Sequence, residues 1–168
     1  MNTTHSRAPG QTVPGNGGSA NAPGLSWIKD HPGTTFRGVV EHGDARGREI
    51  GFPTANISMP HEDLPDGVWV GTVQLEPEAG GKFYLAAVSI GRRPTYYRKG
   101  TRLLEAHLLD FDGDLYGLTV EVTLYDRVRT QKRFSGTDQL MAQIRDDAAR
   151  VRSWALEKRG QQSAPEAE

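Results

Sequence analysis

From Thr35 to Val128 the chain runs as short β-branched and aromatic segments cut by glycine, proline and aspartate, with no helical period between them. Thr35–Glu41 opens the series, and a second strand follows the rigid Pro53-Thr-Ala-Asn56. Val68–Leu75 is a third, and the near-continuous apolar run Lys82–Ile90 reads as a buried fourth. Leu103–Phe111 and Leu118–Val128 flank Asp112-Gly113, a strong hairpin signal. A parallel doubly wound sheet needs helices between its strands, so that architecture is excluded. A helical period appears only near the end, where Leu140, Ile144, Ala148, Val151 and Ala155 recur at three- and four-residue steps behind Ser135 or Thr137 as cap. The pattern predicts a mainly-β barrel with one C-terminal helix packed on it.

Composition narrows the function classes. The 168 residues suffice for one domain with a proper core. Residues 1–33 are rich in Gly, Pro, Asn, Ser and Thr and are expected to be disordered, because they cannot bury enough surface to offset their ordering entropy. Leu25, Trp27 and Ile28 are the exception, either packing on the domain or meeting a partner. The folded domain is expected over 34–159, with a flexible tail over 160–168. With 20 basic and 21 acidic residues the net charge is -1, which gives no bulk case for nucleic acid as a partner. The absence of cysteine excludes disulfides, thiol catalysis and cysteine-held metals, and the five histidines are scattered. No apolar run approaches the ~20 residues of a membrane span, and the polar start lacks a signal-peptide core. The expectation is a soluble, cytoplasmic monomer that meets no membrane.

Gly43-Asp-Ala-Arg-Gly-Arg-Glu-Ile-Gly-Phe-Pro-Thr-Ala-Asn56 is the stretch with most chemical content. Its glycines let backbone N–H groups approach an anion, and Arg46 and Arg48 add fixed positive charge. It is neither a Walker loop nor a dinucleotide fingerprint, and a glycine-rich loop taken alone more often shapes a turn and binds nothing. On a strand, Thr54 and Asn56 share a face, and two neutral oxygens beside a phosphate cradle suit Mg²⁺.

Glu105 and His107 share a strand face in Leu104-Glu-Ala-His-Leu-Leu-Asp110. A carboxylate among apolar neighbours tends toward a raised pKa, as a general base requires; the alternative is the wet side of a half-exposed strand. Asp110, Asp112, Asp114 and Glu121 fall at calcium-loop positions, but Leu115 replaces the required glycine and the flanks read as strands, so calcium is rejected. Arg127, Arg129, Lys132 and Arg133 precede Phe134, either as a solvated face or as a place for a planar ring with polar edges.

Together these segments resemble the riboflavin kinase (flavokinase) family. The resemblance rests on Gly47–Asn56, Leu64–Val68, Ser89–Thr95, Glu105–Gly117, and Arg129–Phe134 followed by Leu140, Gln143, Ile144 and Asp147, in family order over about residues 35 to 155. It implies a six-stranded Greek-key β-barrel with a C-terminal α-helix, and transfer of the ATP γ-phosphate to the riboflavin 5′-hydroxyl, giving FMN and ADP. By this similarity Thr54 and Asn56 bind magnesium, while Gly43 and Arg48 belong to the loop over the nucleotide phosphates. Leu108, Asp110 and Tyr116 match the adenine-nucleotide site, Glu105 the catalytic base, and Arg129, Lys132 and Phe134 the flavin-contacting segment.

Asp44-Ala45 stands where relatives often carry Arg and Gly, and Gln131 where a glutamate is common. Most bacterial relatives also carry an N-terminal adenylyltransferase domain, whose histidine-glycine motif is not found in the first residues here, so the expected product is FMN without FAD. Two rival readings follow from the same residues. One is a catalytically degenerate flavin- or nucleotide-binding sensor, against which Thr54, Asn56 and Glu105 together speak. The other is a single-strand nucleic-acid barrel using Tyr96, Tyr97, Arg92, Arg93 and Arg98, against which the near-neutral charge speaks.

Overall fold

The β-branched segments form strands at Thr34–Val39 (β1), Thr54–Met59 (β2), Gly67–Leu75 (β3), Phe83–Arg92 (β4), Arg102–Leu108 (β5) and Thr119–Arg129 (β6), and the helical period forms Thr137–Gln162 (α1). The computed structural model describes residues 25, 27, 28, 31–43, 51, 52, 54–59, 63–92 and 102–163. Alternation sorts each strand between two faces. Val120, Val122 and Leu124 of β6 turn inward with Val73, Val88, Ile90, Leu104, Ala106, Leu108 and Ile57, and these side chains fill the interior.

The six strands form one antiparallel sheet in the order β1-β6-β3-β4-β5-β2. An antiparallel bridge between Glu41 and Asn56 draws its two ends together into a nearly closed Greek-key barrel. The fold class is as the residues predict. α1 lies on the outside, where Val151 meets Val68 and Val70 of β3, Ala87 of β4 and Leu109. No helix among the described residues is long and apolar enough to cross a membrane.

Two local readings are corrected. Asp112-Gly113 does not join a hairpin, because β5 pairs with β2 and β4 while β6 pairs with β1 and β3. Leu109 N–H instead donates to Leu85 O, and Asp110 turns the chain in the left-handed region at φ 58°. The connection then crosses the barrel end, burying Leu115 and exchanging hydrogen bonds between Val40 and the Gly117–Leu118 backbone. At the helix start neither Ser135 nor Thr137 caps with its side chain. Gly136 holds the cap position, and Gln139 Oε1 accepts from the Ser135 N–H at 3.3 Å.

Of the N-terminal segment, Trp27 and Ile28 form a short turn, and Ile28 is 1% exposed. Trp27 packs against Trp154 of α1 at 6.3 Å, which favours packing on the domain over an exposed partner motif. Residues 1–24, the basic loop 93–101 and residues 164–168 lie outside the described residues, and α1 continues past Gly160 to Gln162.

Candidate active site

Directly opposed residues of an antiparallel pair share a face, with Cβ atoms about 4.5–5.5 Å apart. Asn56 stands opposite Glu105, and Glu105 opposite Ser89. One step along, Thr54 stands opposite His107, and His107 opposite Ala87. Because Ala87 lies under α1, the polar face begins where the helix cover ends. Thr54, Asn56 and Glu105, separated by half the sheet in sequence, are thereby brought together on the outside of the barrel.

Asn56 is 7% exposed, yet its Oδ1 finds no hydrogen-bond partner among the described residues. A buried acceptor in that state costs about 1–3 kcal/mol, a cost that a bound group recovers. Gly43 presses on the same amide: a Cβ there would stand 2.0 Å from Asn56 Nδ2. An orphaned amide oxygen on the same face as the Thr54 hydroxyl fits a hard cation with oxygen ligands. Among the described residues no three His, Asp or Glu gather into a protein cage, so such a cation would complete its shell from water and substrate oxygens.

The segment after β6 is fastened beside this face. Gln131 Nε2 donates to Ser89 Oγ at 2.9 Å and to Ile90 O at 2.8 Å, and Ser89 is the cross-strand partner of Glu105. Arg129 forms a two-point ion pair with Asp147 of α1, at 2.8 Å from Nε and 2.7 Å from Nη2, with both side chains largely buried. Lys132 Nζ donates to Gln143 Oε1 at 3.0 Å, and Gln143 in turn donates to Asp147. Arg129 thus spends its guanidinium on the helix, whereas Phe134 is half-buried on the rim next to Lys132 and Arg133.

The other expected positions are spread along the barrel end. His42, just before Gly43, stacks on Tyr116 with ring centroids 3.9 Å apart, an aromatic surface beside the glycine loop. Asp110 is held by Arg152 through two hydrogen bonds of 2.7 and 2.8 Å, and this partner holds its carboxyl below the usual range. Leu108 points into the barrel core and is not on the polar face. Arg48 and Asp44-Ala45 lie in 44–50, outside the described residues.

Sequence reasoning did not single out Ser89 or His42, and it noted Gln131 only as a departure. Ser89 opens the quoted Ser-Ile-Gly-Arg-Arg-Pro-Thr motif, which was the available signal. The Leu64–Val68 motif gains a structural meaning, since buried Arg102 donates to Leu64 O and pairs with Asp66 at 2.6 Å.

The fold and site define a β-barrel with a cation-ready polar face beside a glycine loop. The riboflavin kinase family model matches residues 32–155. A bifunctional riboflavin kinase/FMN adenylyltransferase from Escherichia coli (strain K12) is 41% identical over 126 residues, covering 74% of this chain and 38% of that protein. One from Bacillus subtilis (strain 168) is 36% identical over 116 residues, covering 67% and 35%. The crystal structure of riboflavin kinase from Trypanosoma brucei superposes with a TM-score of 0.54 at 25% identity, covering 80% of this chain and 91% of that one. The chain belongs to the riboflavin kinase family, a family of ATP:riboflavin 5′-phosphotransferases. It spans little more than a third of the length of the curated bifunctional relatives it matches.

Proposed function

We propose that this chain transfers the γ-phosphate of ATP to the 5′-hydroxyl of riboflavin, releasing FMN and ADP. The observation that carries the reading is the orphaned Asn56 Oδ1 directly across from Glu105. Glu105 accepts the proton that the 5′-hydroxyl loses as its oxygen bonds to phosphorus and the bond to the ADP oxygen breaks. Thr54 and Asn56 would hold Mg²⁺, which supplies charge neutralisation for the phosphate oxygens. The glycine loop with Gly43 and Arg48, together with Asp110 and Tyr116, serves the nucleotide, while Leu108 supports that end of the barrel from within the core. Arg129, Lys132 and Phe134 form the flavin side, with Arg129 acting through its hold on Asp147. Catalysis then rests chiefly on positioning and charge.

The match of the riboflavin kinase family model to the barrel and most of the helix supports the kinase step for these residues. A sensor that only binds flavin has no use for a carboxylate facing a cation-ready pair.

The test is chromatographic separation of flavins after incubating the chain with riboflavin and Mg²⁺-ATP. FMN should accumulate without FAD. Glu105→Gln should retain nucleotide and flavin affinity within a few fold while kcat falls about 10²-fold or more. Unchanged kcat in that variant removes Glu105 as the base, and absence of FMN from the wild type removes the kinase reading.

A further inference from the structure

Phe52 lies at the described end of the glycine stretch, two residues before Thr54. Its ring meets His107 edge-on, with centroids 5.5 Å apart and planes at 78°. His107 is the cross-strand partner of Thr54 and shares the face of Glu105. Over the same Phe52 ring, 5.7 Å from its centroid, stands the guanidinium carbon of Arg145 from α1. The helix therefore presents a cation at the border of the polar face.

Among the described residues that cation meets no carboxylate. The two carboxylates next to it in sequence are engaged elsewhere, Asp146 with Arg150 at 3.2 Å and Asp147 with Arg129 at 2.7 Å. Arg145 is exposed and makes no ion pair among the described residues. A guanidinium resting on a ring keeps its in-plane N–H donors, which match the geometry of phosphate oxygens. In phosphoryl transfer the charge spreads over the equatorial oxygens of the moving group, where a fixed cation contributes most.

We propose that Arg145 is a phosphate-contacting residue, a cation supplied by the C-terminal helix to the phosphoryl group that moves from ATP to riboflavin. The inference rests on the phosphotransferase reading above and adds to it a residue outside the motifs of the resemblance. Phe52 sets the height and direction of the guanidinium, and His107 sets Phe52.

FMN and riboflavin differ by the phosphate alone, so their affinities separate a phosphate contact from a structural brace. Both should be titrated calorimetrically into the full chain with Mg²⁺-ADP, for wild type, Arg145→Gln and Arg145→Ala, with Tm measured in parallel. The expected result is FMN binding weakened about 10-fold or more and riboflavin binding within twofold, consistent with a charge-assisted hydrogen bond lost. In the forward reaction kcat should fall about 10²-fold or more, with Arg145→Lys recovering part of it. If both flavins weaken together, Arg145 only braces Phe52, and the proposal is overturned. Equal FMN affinity in wild type and variants overturns it as well. A wild-type chain that binds neither flavin instead overturns the riboflavin kinase reading on which the proposal rests.

Discussion

Asn56 sits where three constraints meet: the pairing with Glu105, the bridge to Glu41 that closes the barrel, and the close approach of Gly43. All three surround its buried Oδ1, and the Glu41 carboxylate is itself steadied by the Ser58 hydroxyl, which its two oxygens share at 3.1 Å. The glycine at 43 is thus a matter of space: any Cβ would overlap the Asn56 amide and displace the oxygen proposed to meet the cation. Gly43→Ala should raise the Mg²⁺ concentration needed for half-maximal kinase activity about 10-fold or more, while riboflavin affinity stays within a few fold. A magnesium titration of the initial rate in both proteins checks this, and coincident curves would remove Gly43 from the metal face. At this scale much was legible, because Thr54, Asn56 and Glu105 needed only the period of a strand to be placed. What could not be read was the pairing itself, which puts Glu105 against Asn56 and adds Ser89 on its other side.

Among the elements, the junction of β6 with α1 holds in place the segment proposed to face the flavin. The segment leaving β6 is tied twice, to the helix by Arg129–Asp147 and to the rim of β4 by Gln131. Removing one member of a buried ion pair leaves the other uncompensated, at a cost of about 3–5 kcal/mol. Asp147→Ala should therefore lower Tm by about 10 °C, measured by circular dichroism, and a change under 2 °C would show the pair to be dispensable. The strands were legible because each carries its own period and turn residues. The hairpin at Asp112-Gly113 was misread because an Asp-Gly signal is local, whereas the partner of β5 is decided by closure of the whole sheet. Arg129 read as a ligand-facing cation for the same reason: its partner lies on another element, and no spacing rule announces it.

At the scale of the whole molecule, the N-terminal turn, β6 and α1 are joined by one aromatic cluster. Tyr125 stacks on Trp154 at 5.2 Å, Trp154 donates to Asp126 at 2.6 Å, and His31 lies 5.3 Å from Trp154 and 5.5 Å from Tyr125. The Tyr125 hydroxyl shares a hydrogen bond with Thr72 Oγ1 at 3.1 Å and donates to Ile28 O at 3.4 Å, tying the turn to two strands at one atom. Burial pushes this phenol above its ordinary pKa of 10.0, against the smaller opposing effect of its hydroxyl partners. The folded state therefore favours the neutral phenol more than the unfolded chain does. Its contribution to stability is complete below pH 10 and is lost as pH rises through the folded-state pKa. Ionisation also removes the proton given to Ile28 O, so the turn carrying Trp27 should loosen along with the fold. Urea midpoints at pH 8 and pH 11 test this in wild type and Tyr125→Phe. The wild type should lose more stability over that interval than the variant, and its tryptophan emission should shift to the red before global unfolding. Parallel losses in the two proteins would mean that the phenol contributes nothing to the alkaline limit and that the N-terminal turn is held by Ile28 and the indole stack alone.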